Sequence, residues 1–151
     1  MLKEGDKAPA FKTKDQNGNA IGLQHFKNKK LAIYFYPKGL TETCTVQACN
    51  LRDNYSTLQQ AGISILGVSP DPEKLHKKFE QKHQLPFPLL MDEEQIIIKA
   101  YGVWGEKQLY GKKYMGLIRT TFLISEKGII KKIINKPVSK NHAEEIINGF
   151  K

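Results

Sequence analysis

An α/β fold with a central mixed β-sheet flanked by helices is what this sequence predicts, and three observations carry the expectation. Two apolar runs rich in β-branched and aromatic residues, "KLAIYFYP" and "GISILGVSPD", have strand length and no polar face, as strands buried on both sides do. Between them lies a segment with apolar residues near helical spacing, which makes a β-α-β unit. Towards the C-terminus "RTTFLISEKGIIKKIIN" reads as an antiparallel hairpin turning at Lys127 and Gly128. At 151 residues the chain is the size of one ordinary domain with its own core, so 1–151 is expected to be a single domain. It contains no repeat, low-complexity segment or linker.

The elements follow in order. "PAFKTKDQNGNAIGL" carries Asn17-Gly18 between short alternating segments, the signature of an N-terminal β-hairpin. After the "KLAIYFYP" strand, a helix is expected from about Thr43 to Gln60, with Val46, Cys49, Leu51, Tyr55 and Leu58 on its apolar face and Gly62 as its stop. Ser69, Pro70 and Asp71 open a polar helix through "PEKLHKKFEQKHQ", on which His76 and His83 read as surface residues. "LPFPLLMD" is a short strand, "EEQIIIKAYG" a short helix, and the stretch before Arg119 a Gly- and Lys-rich loop. There Trp104 and Tyr110 read as core anchors, with a place on a pocket wall as the alternative. A last helix, "SKNHAEEIINGF", could be capped by Ser139 or Asn141.

Composition narrows the function. The net charge is +9, but the basic residues are almost all lysines spread along the chain, which suits a solvated surface better than a nucleic-acid face. No apolar run approaches the roughly 20 residues that span a bilayer, so no membrane partner is expected. "MLKEGDKAPAF" has no apolar h-region, and the expected compartment is the cytoplasm. Where lysine is so freely used, the two arginines, Arg52 and Arg119, mark positions that can use a permanent charge and a planar fork of donors.

Both cysteines fall within "YPKGLTETCTVQACN". In a reducing compartment two cysteines are a reactive pair or inert core thiols, not a framework. Cys44 lies in the first turn of the helix, where unpaired N–H groups and the helix dipole favour an anion, and it is the better nucleophile. Cys49 lies well inside the helix. Five helical residues separate the α-carbons by roughly 8.6 Å, beyond the roughly 7 Å that a disulfide bridges without backbone movement. If the two join, the first turns must unwind. A metal site needs about four ligands, and one C-x4-C pair with the dispersed His25, His76, His83 and His142 does not supply them.

"YFYPKGLTETCTVQACNLRD" resembles the active-site segment of peroxiredoxins, with Pro37, Thr41 and Cys44 at the spacing of the Pro-x-x-x-Thr/Ser-x-x-Cys motif. A second cysteine five residues on, at Cys49, is similar to the bacterioferritin comigratory protein subfamily. The likeness extends through "GDKAPAF", "GVSPD" and "YGVWGEKQLYGKKYMGLIRTTFLI". The resemblance implies a thioredoxin-like fold and a thiol peroxidase that needs no metal, heme or flavin. It makes Cys44 the peroxidatic and Cys49 the resolving cysteine, assigns peroxide binding and polarisation to Thr41 and Arg119, and has Pro37 shield the site. Hydrogen peroxide and organic hydroperoxides are the implied substrates, and thioredoxin or a similar dithiol protein the implied reductant. Both sulfurs come from one chain, so a monomer suffices.

One departure stands out. The family usually has Pro-Gly directly before the peroxidatic cysteine, and this chain has Glu42 and Thr43. A φ pre-set for a helix start and the backbone freedom of glycine are both lost, while an anion is placed near the reactive sulfur. Slower resolution than in relatives with Pro-Gly is one expectation; a solvent-facing Glu42 and a merely capping Thr43 is the other. Two further readings differ in class. A general dithiol-disulfide oxidoreductase normally uses C-x-x-C, and a non-catalytic basic binding module needs its charge gathered on one face.

Overall fold

The computed structural model describes residues 2–151. Strands β1 (Lys12–Lys14) and β2 (Ala20–Gly22) form the N-terminal antiparallel hairpin. Asp15 ties its turn, its Oδ1 accepting the Asn17 and Asn19 N–H groups, both at 2.9 Å, and Gly18 takes the positive φ that a side chain resists.

The central sheet contains β3 (Lys30–Phe35), β4 (Ile63–Ser69), β5 (Leu89–Met91), β8 (Thr120–Ile124) and β9 (Ile130–Asn135) in the order β5-β4-β3-β8-β9. The first three run parallel, and β8 and β9 are antiparallel to their neighbours. The sheet is therefore mixed, and successive residues of β3 point to two different cores. Ala32 and Tyr34 join the core beneath α1 (Glu42–Asp53), α2 (Tyr55–Gln60), α3 (Glu73–His83) and α5 (His142–Gly149). Leu31, Ile33 and Phe35 join the other, with Ile97 and Ile98 of α4 (Ile96–Ala100) and Phe11 beside the hairpin.

Five details differ from the sequence expectation. The helix expected from Thr43 to Gln60 is broken at Asn54, whose Nδ2 donates to the Asn50 carbonyl at 2.8 Å and so takes up an acceptor of the preceding turn. Its apolar face is also rotated: Val46 is 41% exposed, whereas Gln47 is fully buried. The Gly- and Lys-rich loop is instead a hairpin of β6 (Trp104–Leu109) and β7 (Lys112–Leu117). Tyr110 and Gly111 both have positive φ, as a two-residue primed turn requires. Trp104 packs on the core as read, but Tyr110 is 96% exposed and anchors nothing. Finally, Asn141 holds the N-cap position of α5, but its side chain makes no capping bond. Asn50 of α1 accepts the Ala143 N–H at 2.8 Å and donates to the Lys140 carbonyl at 2.9 Å.

The pairing of β3 with β8 sets up the site. Phe35 faces Thr120 across the antiparallel ladder. The residue before β8 is thereby brought to the end of β3 from which the chain enters α1.

Candidate active site

The chain leaves β3 through Tyr36 and a half-buried Pro37 and enters α1 through a tight loop. Asp71, just beyond β4, holds that loop: its Oδ2 accepts the Gly39 N–H at 2.7 Å. Its own N–H donates to Ser69 Oγ at 3.0 Å. A side chain at Gly39 would meet the Phe79 ring at 2.8 Å, so only glycine fits there. Ser69 and Asp71, expected to open α3, instead fix where α1 starts: Ser69 ends β4, and α3 begins at Glu73 with Pro72 as its N-cap residue.

Thr41 is the N-cap residue, and the first helical bond runs from the Thr45 N–H to the Thr41 carbonyl at 2.9 Å. The N–H groups of Glu42, Thr43 and Cys44 precede that bond and have no acceptor within the helix. Cys44 sits among them with 2% of its surface exposed, over the buried Tyr34 and Tyr36. Arg119 Nη1 lies 2.9 Å from its Sγ. The other guanidinium nitrogen, Nη2, donates to Gln47 Oε1 and, at 3.4 Å, to Ser139 Oγ. A permanent positive charge beside the sulfur of a cysteine in the first turn is the setting in which thiols react as thiolates.

Gln47 was not singled out by sequence reasoning, although a polar residue three positions after Cys44 shares its helix face. Burial raises the Tyr34 phenol well above its usual range, and the neighbouring Cys44 adds to the effect. The hydroxyl therefore stays neutral under the sulfur.

The other expected site residues are dispersed around this centre. Thr41 is exposed, and its hydroxyl donates to the Lys38 carbonyl at 2.7 Å. Glu42 and Thr43 are both exposed. Cys49 is half-buried, and both cysteines are free. Its sulfur faces α3, where His83 Nδ1 lies 3.7 Å away. Arg52 ion-pairs with Asp53 and donates from Nη1 to the His83 carbonyl at 2.7 Å. The two histidines of α3 correct the sequence reading: His76 is fully buried, 3.5 Å from the Tyr36 hydroxyl, and of the pair only His83 reaches the surface. The amphipathic turn of α3 around Phe79 carries His76 inward. A cleft of about 560 Å³ opens beside Arg119, walled by Thr43, Lys107, Gln108, Ile118 and Pro137. Among the described residues no cluster of three metal-ligating side chains occurs, and no helix is long and apolar enough to cross a membrane.

A cysteine at a helix start, clamped by an arginine on a mixed sheet with this connectivity, defines a thiol-based oxidoreductase of the thioredoxin-fold class. The profile of the AhpC/TSA family matches residues 4–133, and the chain belongs to that family. It is 44% identical over 151 residues to Peroxiredoxin Bcp of Escherichia coli K12, covering 99% of this chain and 96% of that protein. Among solved structures it is similar to Peroxidoxin BcpB of Mycobacterium tuberculosis, with a TM-score of 0.86 and 29% identity over 99% of this chain and 96% of that one. The Xanthomonas campestris bacterioferritin comigratory protein, whose structures concern its alkyl peroxide reduction activity, matches with a TM-score of 0.85 and 32% identity over 91% of this chain and 88% of that one. The chain is thus a peroxiredoxin, an enzyme that reduces peroxides.

Proposed function

We propose that residues 1–151 act as one domain, a cytoplasmic monomer that reduces hydrogen peroxide and organic hydroperoxides at Cys44 and is recycled by thioredoxin or a similar dithiol protein. The observation that carries this reading is the 2.9 Å contact of Arg119 Nη1 with Cys44 Sγ at the start of α1. The thiolate attacks one peroxide oxygen and the O–O bond breaks. Cys44 becomes a sulfenic acid, and the other oxygen leaves as water or alcohol after taking a proton. Negative charge grows on the departing oxygen, and donors fixed around it lower the barrier. The Cys44 N–H and Arg119 are two such donors. Thr41 becomes the third when its hydroxyl turns from the Lys38 carbonyl to the peroxide, while Pro37 keeps water from the sulfur.

The sulfenic acid then condenses with the Cys49 thiol, releasing water and protecting Cys44 from further oxidation. The two side chains point to different neighbours, Arg119 and His83, so α1 must open for this step. An external dithiol restores both thiols. The test is peroxide consumption by reduced protein with a thioredoxin system, beside Cys44→Ser and Cys49→Ser, with the oxidised product mapped by mass spectrometry. Turnover abolished in Cys44→Ser and a Cys44–Cys49 disulfide in the parent protein are the expected results. Turnover that survives Cys44→Ser would sink the reading.

A further inference from the structure

The resolving thiol must lose its proton before it can attack, and the side chain that meets its sulfur comes from another helix than its own. The base stands on α3. His83, in the last turn of α3, directs Nδ1 at Cys49 Sγ from 3.7 Å. Its position is fixed from both sides. The Phe79 ring packs against the imidazole at 5.7 Å in an edge-on arrangement, and Arg52 of α1 holds the His83 carbonyl at 2.7 Å.

We propose that His83 is a catalytic residue of the resolution step, taking the proton from Cys49 as its sulfur attacks the sulfenic acid of Cys44. The proposal rests on the reading of Cys49 as the resolving cysteine. In the step, the proton of Cys49 Sγ passes to His83 Nδ1, and an electron pair of Cys49 Sγ forms the S–S bond. The S–O bond of Cys44 breaks, and hydroxide leaves as water with the proton that His83 releases. The Cys49 sulfur is oxidised and the Cys44 sulfur reduced, each to the level of the disulfide.

The surroundings keep the imidazole ready to accept. The groups that face it are Cys49 and Arg52 from α1, the latter paired with Asp53, and Lys82 and Phe79 from its own helix. Partial burial, then the positive charges of Lys82 and Arg52, lower its proton affinity below the ordinary histidine range. At neutral pH the ring is therefore uncharged, and with its own proton on Nε2 it presents a lone pair to the thiol.

The experiment follows disulfide formation after a stoichiometric pulse of hydrogen peroxide, by quenched-flow alkylation and mass spectrometry, in the full chain, His83→Gln and His83→Ala from pH 5.5 to 9.5. Both variants keep the backbone carbonyl that Arg52 holds, so the α1–α3 contact survives. Conversion of Cys44 to sulfenic acid is expected at the parent rate. The subsequent disulfide step is expected to slow at pH 7 by about tenfold or more. The deficit should close by pH 9.5, where hydroxide removes the proton, and added imidazole should restore His83→Ala at pH 7. Disulfide formation as fast as in the parent protein at pH 7, or a slowing that is uniform across pH and untouched by imidazole, would overturn the assignment while leaving Cys49 as the resolving residue. Absence of any Cys44–Cys49 disulfide in the parent protein would overturn the underlying reading as well.

Discussion

Arg119 serves the Cys44 sulfur with one guanidinium nitrogen and the Gln47 amide oxygen with the other, and this double use explains why an arginine stands in a chain otherwise rich in lysine. A lysine could place a charge near the sulfur but could not fork to Gln47 in the same plane. Arg119→Lys is therefore expected to slow peroxide-dependent loss of the Cys44 thiol by about 10²-fold, the order found when one fixed transition-state donor is removed. Gln47→Leu keeps the volume but strips an acceptor from the guanidinium, and a loss of about tenfold is expected from one half-buried charged group left short of a partner. Quenched-flow alkylation measures both. A rate within a factor of two of the parent for Arg119→Lys would show that charge alone suffices.

At the scale of elements, resolution by Cys49 as proposed requires an α1 firm enough to hold Cys44 against Arg119 and loose enough to open towards Cys49. Its start is loosely made: Thr41 spends its hydroxyl on Lys38, and no side chain caps the helix. Its far end is firmer, because Asn50 bridges to α5 and Arg52 to α3. Opening is thus expected to begin at Glu42 and stop short of Asn50. Restoring Pro-Gly through Glu42→Pro with Thr43→Gly should hasten disulfide formation, since glycine eases unwinding, and proline at the first helical position gives up only an N–H that lacks an intrahelical acceptor. An unchanged resolution rate would mean that Glu42 and Thr43 are spectators on the solvent face. Asn50→Ala removes a cap supplied from outside α5 and is expected to cost about 1 kcal/mol. For a chain of this size that is a fall of about 2–4 °C in Tm, readable by calorimetry.

The same elements show what a sequence carries and what it hides. The strands at Lys30–Phe35 and Ile63–Ser69 are legible because burial on both faces leaves unbroken apolar runs. The hairpin Trp104–Leu117 is hidden because most of its residues face solvent, leaving no alternation of apolar and polar side chains to read. The positions of Cys44 and Arg119 follow from local motif and residue choice. Gln47, Asp71 and His83 do not, because each draws its role from a partner more than 30 residues away, through contacts that only the packed sheet and helices create.

Across the whole molecule, two buried histidines couple stability to pH. His76 and His142 are fully buried, and burial lowers the proton affinity of both. His142 accepts or donates across 2.8 Å to the Thr121 hydroxyl, and Glu145 at 2.9 Å partly offsets the lowering. In the unfolded chain each imidazole returns to its ordinary value near 6.5. Below that value the unfolded state binds more protons than the folded one, so stability is complete above about pH 6.5 and declines as pH falls towards the folded values. Tm is expected to fall between pH 7.5 and pH 5.5, and His76→Gln should shrink the fall. The raised proton affinity of Asp92, due to burial, works in the opposite direction because its folded state gains protons first, so it cannot produce this loss. A Tm that stays level or rises from pH 7.5 to 5.5 would mean that both imidazoles are protonated inside the fold, and that the uncharged core around Tyr34 and Tyr36 on which Cys44 rests carries positive charge instead.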